Sequence, residues 1–381
     1  MIGYCSIQPQ RLRTVFGAVL AAVMASTSTQ AAADSLIDTS AGPMQITPVA
    51  QGLDEPWGIA YLPDGRFLVT ERDRARLRLF GADGADLGDF AGLPAVSVGG
   101  QGGLLDVMIP RGFAADPWVY LTYAAGTNGG RGTALARARL DFAAMTLRDL
   151  QVLFTAPEGV RGGNHFGARV IEAQDGSIYL ALGERGTGPD GQQAQDPARS
   201  EGKVFHFAAD GSPATQLDGA MAGIFTLGHR NPQGLIQTAA GDLVLVEHGP
   251  QGGDEVNILA KGANYGWPLV SKGEQYGGGT IGAPQMEGMV DGVKVWVPSI
   301  APSGLMEYQG DLIPAWRGNL LTGSLNSDFI ARLDPANGYA EERIAAPETA
   351  RVRDVVQAPD GSIWFLSVID GAVYRLAPQG K

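Results

Sequence analysis

Cysteine is nearly absent from this 381-residue chain: its single copy, Cys5, lies at the extreme N-terminus. That excludes disulfides, thiolate zinc sites and a C-x-x-C-H haem attachment from the rest of the chain. Positive charge is also scarce. Lys and Arg total 28 against 40 Asp and Glu, for a formal net charge of −12, and no basic cluster occurs. Such a surface repels nucleic acid and anionic membrane and suits a neutral substrate. Long helical periodicity, a G-X-Y period and long polar tracts are missing too, which excludes collagen and disorder. The one marked apolar run, Val15 to Met24, is too short to span a bilayer as a helix.

That run follows Arg11 and Arg13 and precedes the small residues Ala31-Ala32-Ala33. This is the pattern of an export leader, with cleavage expected after Ala33; an uncleaved anchor is the alternative. Loss of the leader removes Cys5 and both arginines and deepens the net charge from −12 to −14. Export without disulfides suits a bacterial periplasm, where a large core makes such staples unnecessary. The domain reading is a leader over 1–33 and one domain over 34–381.

Glycine is abundant, at 55 residues, with 23 prolines. A Gly-containing turn, usually with Asp, is followed six times by an apolar strand, a break and another strand, starting near residues 65, 116, 176, 241, 318 and 361. Asp-Gly between apolar runs is a hairpin signal. Six units, each long enough for four strands, predict an all-β fold, a six-bladed β-propeller with four-stranded antiparallel blades. A large β-sandwich or two all-β domains is the other reading. Insertions are expected over 186–201, 249–257 and 271–298, and long loops on one face of a rigid scaffold usually build the site.

Four clusters carry candidate chemistry. His165 follows Arg161-Gly162-Gly163-Asn164, and the same unit ends in Gly183-Glu184-Arg185-Gly186. A carboxylate from the adjoining loop can hold one ring nitrogen and leave the other as a base. His206, inside the strand Val204-Phe205-His206-Phe207, reads as structural. The run GHRNPQGL places Arg230 and Asn231 where a ligand could face them, or is a loop knitted to its own backbone. The acidic, Gly-rich EHGPQGGDE, 247–255, can offer hard oxygens to calcium without being an EF-hand. Arg351 and Arg353 stand at i and i+2, sharing a strand face; they match a polycarboxylate or form a solvated face with ion pairs.

Together, GHRNPQGL, HGPQGGDEVN, NYGWP and RVRD, in this order, resemble the soluble quinoprotein glucose dehydrogenases that use pyrroloquinoline quinone (PQQ), and more closely the bacterial aldose sugar dehydrogenases of that superfamily. The similarity runs from Gly52-Leu53-Asp54-Glu55-Pro56-Trp57 to Tyr374-Arg375-Leu376. It implies a propeller holding PQQ on its axis with calcium at the quinone. It implies His165 as the base for the sugar C1 hydroxyl, Glu184 as the carboxylate orienting it, and Arg230 facing the reactive quinone carbonyl with Asn231 beside it. Gln101 then lies near base and substrate, Ser299 where relatives often have Thr, and Arg351 and Arg353 clamp the PQQ carboxylates. The carbonyls of Gly249 and Pro250 correspond to calcium ligands, and Glu255 with the Tyr265 carbonyl to a second, structural calcium site.

Two departures stand out. Asn326 occupies the place of a lysine turned toward the quinone, and Asn164 precedes the base where the glucose enzyme has an acid. The implied reaction is oxidation of an aldose at C1 to its lactone, with hydride passing to quinone C5 and a separate electron acceptor, a quinone or cytochrome, reoxidising the cofactor. A calcium-dependent lactonase propeller, with acidic and Asn ligands ringing the axis, is the rival enzyme; a propeller serving only as a binding module is the third reading.

Overall fold

The runs after the glycine turns are apolar at consecutive positions: Leu243-Val244-Leu245-Val246, Ile178-Tyr179-Leu180-Ala181-Leu182. A strand with one wet face alternates instead. The computed structural model, which describes residues 35–157, 159, 161–188 and 191–381, shows why. Leu243 and Leu245 pack against the preceding sheet, whereas Val244 and Val246 pack against the following one. Each such strand lies inside a sheet sandwiched between two others. The expected leader lies outside the described residues.

Among the described residues there are six antiparallel sheets. Their innermost strands are Pro56–Tyr61, Leu104–Met108, Gly167–Glu172, Pro232–Gln237, Pro302–Glu307 and Val352–Gln357, heading blades 1 to 6. In blades 1, 3, 4 and 6 a tight glycine turn leads to the second strand; in blades 2 and 5 longer connections, over 109–117 and 308–319, do so. Blades 1 to 5 have four strands. Blade 6 has five, because Gly42–Gln51 adds antiparallel to Ala372–Pro378 and Ser35–Thr39 adds outside it. The chain thus closes its ring by pairing its first strands with its last. Among the described residues, helix is confined to three short 3-10 turns, at Pro314–Trp316, Pro335–Asn337 and Pro347–Thr349, and no helix is long and apolar enough to cross a membrane.

The core is six apolar layers, one per blade interface. Leu68, Leu77 and Leu121 lie between blades 1 and 2, Leu180 and Phe205 between 2 and 3, Ala181 and Leu245 between 3 and 4. Val246 and Leu320 lie between blades 4 and 5, Ile330 and Phe365 between 5 and 6, Phe67 and Leu366 between 6 and 1. Full burial of side chains of this size stabilises by roughly 1.5–3 kcal/mol each. Polar clasps add direction. The last residues of four inner strands, Glu172, Gln237, Glu307 and Gln357, accept hydrogen bonds of 2.6–2.8 Å from backbone N–H groups of the preceding blade, at Arg111, Gln174, Ala239 and Gln309.

On the axis the inner strands meet through buried charge. Arg169 donates to Asp106 (2.8 Å), Asp354 (3.1 Å) and the Gln233 carbonyl (3.0 Å). Asp106 also accepts from Val170 N and Asp354 from Ile59 N. Gly58 and Gly304 complete the contact: a Cβ on Gly58 would sit 2.9 Å from an Asp106 oxygen, and one on Gly304 would overlap Asp354. All six blades therefore touch this one cluster. Burial raises both carboxylates, Asp106 to about 7, and Arg169 is the attraction that opposes it.

One expectation needs correction. Residues 254–259 are strand, so the insertion expected over 249–257 ends at Gly253. Asp254 and Glu255 are consequently held in a ladder opposite Trp296 and Glu247.

Arg169→Met should lower unfolding stability by about 3–5 kcal/mol at pH 7 in urea titrations, the cost of stranding buried charge. The deficit should shrink toward pH 5. Carboxylates held above their unfolded pKa favour the folded state where they are protonated and lose that contribution as pH rises. A loss below about 1 kcal/mol would assign blade registration to the apolar layers alone.

Candidate functional site

Above the axial cluster opens a cleft of about 440 Å³, lined by residues of all six blades and their loops. That is within the range of roughly 300–1,000 Å³ for small-molecule sites. His165, Gln101, Arg230, Asn231, Gly249, Pro250, Ser299, Asn326, Arg351 and Arg353, singled out from the sequence, all line it. Glu184 lies behind His165. Glu255 and Tyr265 do not face this cleft but a separate cavity beside it.

His165 follows a glycine-rich loop and takes a left-handed backbone (φ 51°). Its N–H donates to the Gln101 side chain (2.8 Å) and its carbonyl accepts from Arg185 N (3.3 Å). Its Nδ1 bonds the Glu184 carboxylate. Glu184 is fully buried and also accepts from Gly186 N, Thr187 N and the Thr187 hydroxyl, so every partner it has is a donor. Burial pushes Glu184 up, but the bonds from His165 and Thr187 outweigh it and its pKa is lowered. Burial lowers His165, Glu184 opposes that, and Arg230 adds to the lowering. The result is a neutral imidazole beside an ionised carboxylate, Nδ1–H held and Nε2 left for the cleft, the arrangement of a general base.

Arg230 and Asn231 precede the inner strand of blade 4. Glu247 accepts from Arg230 N (2.7 Å) and from the fully buried His229 (2.8 Å), so His229 is a prop for the arginine loop. The Arg230 guanidinium lies over Trp267 and donates to the carbonyls of Gly249 (2.6 Å) and His248 (3.2 Å); its Nε has no partner among the described residues. Asn231 belongs to a chain of bonds whose direction is set at both ends. Arg353 can only donate, to Gln233 Oε1 (3.0 Å). Gln233 then donates to Asn231 Oδ1 (3.0 Å) and Asn231 to His248 Nδ1 (3.3 Å). His248 Nε2 donates to the Pro302 carbonyl (2.7 Å). Burial holds His248 neutral, its pKa pushed down to about 3.

Arg351 and Arg353 reach the cleft differently from the expected strand face. Arg351 precedes the strand with φ 52°, and a register shift lies between Val352 and Asp354, so backbone distortion aims both side chains inward. Nor is this a solvated face with ion pairs: Arg353 is only 7% exposed, and among the described residues neither guanidinium has a carboxylate partner. Burial, then the charges of Arg72, Arg351 and Arg169, push Arg353 down to about 9. A buried guanidinium in positive surroundings is a site for an anionic ligand. On the adjoining wall of blade 5, Asn326 makes one long side-chain bond, to the Ser299 carbonyl (3.4 Å), and the Ser299 hydroxyl donates to Asp254.

The carbonyls of Gly249 and Pro250 lie in the cleft wall; Pro250 accepts from the Tyr276 hydroxyl (3.2 Å). Asp254 pins their loop, accepting from Gly249 N, Ile300 N and Ala301 N at 2.8 Å each. The neighbouring cavity, about 20 Å³, touches Glu247, Glu255 and Tyr265. Burial and then Glu247 push Glu255 up to about 8, and Asn257 Oδ1 has no partner. Such buried oxygen acceptors short of donors suit a hard divalent cation. Among the described residues no three His, Cys, Asp or Glu side chains gather at one point, so a cation at either place would lean on carbonyls.

Several cleft residues escaped the sequence reading: Trp57, Arg72, Gln233, His248 and Tyr276. One signal was available. An acidic-basic pair closes the second strand of three blades, Glu71-Arg72, Glu184-Arg185 and Glu247-His248, and a member of each pair serves the site.

Comparison with known proteins agrees with this architecture. The Glucose / Sorbosone dehydrogenase family pattern matches residues 53–375. The aldose sugar dehydrogenase of Escherichia coli is 35% identical over 342 residues, covering 86% of this chain and 91% of that one. Quinoprotein glucose dehydrogenase B of Acinetobacter calcoaceticus is 25% identical over 406 residues, covering 84% of each. The PQQ-bound aldose sugar dehydrogenase structure from Streptomyces coelicolor superposes with a TM-score of 0.73 at 25% identity, over 90% of this chain and 99% of that one.

The His165 ring should titrate below the 6.5 of a free imidazole in a histidine NMR titration, with the proton of its neutral form on Nδ1. Because Glu184 favours the charged ring, Glu184→Gln should lower that pKa further. An increase in this variant would contradict the assignment of the Nδ1 bond.

Proposed function

We propose, from the premise that this chain belongs to the Glucose / Sorbosone dehydrogenase family, that it oxidises aldose sugars at C1 to the lactone, with PQQ as oxidant and calcium as its companion ion. The observation that carries this reading is the pairing of a neutral His165–Glu184 base with unpaired arginines in one axial cleft. The cleft suits the cofactor: Arg353 and Arg351 offer donors to its carboxylates, and the carbonyls of Gly249 and Pro250 are hard acceptors in the same wall.

When bound, PQQ would supply the hydride acceptor at C5, and calcium would polarise the adjacent carbonyl. The protein does the rest. His165 Nε2 takes the proton of the C1 hydroxyl as hydride leaves C1. Glu184, acting through Nδ1, stabilises the imidazolium that forms. Arg230 presents its guanidinium to negative charge developing on the acceptor oxygen. Gln101, bonded to His165 N, holds the base loop across the cleft. Asn231 and Ser299 border the cofactor space, as does uncharged Asn326. Glu255 and the Tyr265 carbonyl would hold a second, structural calcium. Two electrons leave with each lactone, so a separate acceptor, a quinone or a cytochrome, completes the cycle. The Met1–Ala33 leader supports a periplasmic enzyme.

The rival lactonase requires axial acidic residues free for calcium. Here Asp106 and Asp354 on the axis are both engaged by Arg169.

Purified apo-protein should oxidise aldoses with an artificial acceptor only after PQQ and calcium are added. His165→Ala should lower turnover by roughly 10²–10⁴ while PQQ still binds. Arg353→Ala should weaken PQQ binding by about 1.5–3 kcal/mol. Full activity with NAD alone, or after stripping both calcium and quinone, would reject the reading.

A further inference from the structure

PQQ carries three carboxylates, and blade 6 meets them with two arginines. The adjoining wall of blade 5, at Asn326, brings no charge. Besides Arg230, one more arginine lines the cleft: Arg72, just past the end of the second strand of blade 1. Its backbone is fixed from both sides. Arg72 N donates to the Glu55 carbonyl (3.0 Å), and its own carbonyl accepts from Leu104 N (3.2 Å). Gly103 lets the chains approach, since a Cβ there would meet the Arg72 carbonyl and lie 2.8 Å from its Cγ. The side chain is 12% exposed and sits near enough to Arg353 for its charge to be felt there more than that of any other ionised group.

The guanidinium is held at the rim by Glu55 (3.0 Å) and Asp73 (2.7 Å). Glu55 takes a left-handed backbone (φ 47°), and its side chain is 36% exposed. A partly exposed ion pair is a weak hold, because water screens it and two long side chains must be ordered to keep it. Charge-assisted, desolvated bonds to a carboxylate inside the cleft are stronger.

Resting on the quinoprotein reading, we propose that Arg72 joins Arg351 and Arg353 as a third arginine for the PQQ carboxylates, binding one of them from the wall opposite blade 4, and that Glu55 competes with the cofactor for it. Arg72 is then a cofactor-binding residue, and Glu55 tunes cofactor affinity from the rim.

The test is titration of PQQ at fixed calcium into parent, Arg72→Gln and Glu55→Gln, followed by quenching of tryptophan fluorescence, with the thermal midpoint of each apo-protein measured alongside. Arg72→Gln should raise the Kd about tenfold or more with an unchanged midpoint, and binding should depend less on salt. Glu55→Gln should tighten binding severalfold, because it removes the competitor and keeps the cation. Binding by Arg72→Gln within twofold of the parent overturns the proposal. So does unchanged or weaker binding by Glu55→Gln, which would make the pair a structural brace of the rim; this arm decides alone if Arg72→Gln fails to fold. A parent that takes up no PQQ rejects the sugar dehydrogenase reading itself, whereas a parent that binds while Arg72→Gln binds equally rejects only the role of Arg72.

Discussion

A single guanidinium between two carboxylates holds the centre of this molecule. Each blade interface is an apolar layer, and such layers are adhesive without being directional. Arg169 adds the direction. Its bonds to Asp106, Asp354 and the Gln233 carbonyl converge from separate blades, and the glycines at 58 and 304 let the remaining inner strands close on the same point. Burying three charges gains little net stability by itself, but the arrangement tolerates almost no slip between blades. The functional cleft sits on this plug, so its floor is as fixed as the ring.

Two opposite electrostatic environments are built on that floor. At His165, burial keeps the ring neutral against the pull of the adjacent carboxylate, which commits one of its nitrogens. Elsewhere on the wall, Arg351 and Arg353 concentrate positive charge with no carboxylate at either guanidinium among the described residues. They do so inside a chain of formal charge −12, so the cleft stands out from its own surface as a place for an anion. The bond chain from Arg353 through Gln233, Asn231 and His248 to Pro302 connects the cationic half to the loop bearing Gly249 and Pro250.

Much of the fold could be read from sequence because its repeat is marked by local chemistry. A glycine turn fixes the hairpin between the first two strands in four of the blades, and the apolar runs that follow announce sheets buried on both faces. The completion of blade 6 could not be read this way, because its fourth strand arises from pairing residues 42–51 with 372–378, and no local signal marks a partner that distant. The pairing of His165 with Glu184 was legible from their loops, nineteen positions apart. Arg351 and Arg353 were legible as a pair of arginines but not as geometry: pleat alone would align positions 351 and 353, whereas a left-handed residue and a register shift do it here. Arg72 was missed because Glu-Arg-Asp-Arg, read along a strand end, looks like ordinary surface ion pairing. Only the ring's closure shows that this end faces Arg353.

The central claim is that one axial cleft joins a base for a sugar hydroxyl to a bound quinone oxidant. Its most direct test is a single turnover without oxygen. Protein loaded with PQQ and calcium is mixed with excess aldose and followed by visible absorption, with the lactone quantified at the end. The account predicts bleaching of the oxidised quinone with one lactone formed per bound cofactor, abolished in His165→Ala although the loaded spectrum is intact. Loaded parent protein whose spectrum and sugar both remain unchanged would contradict it.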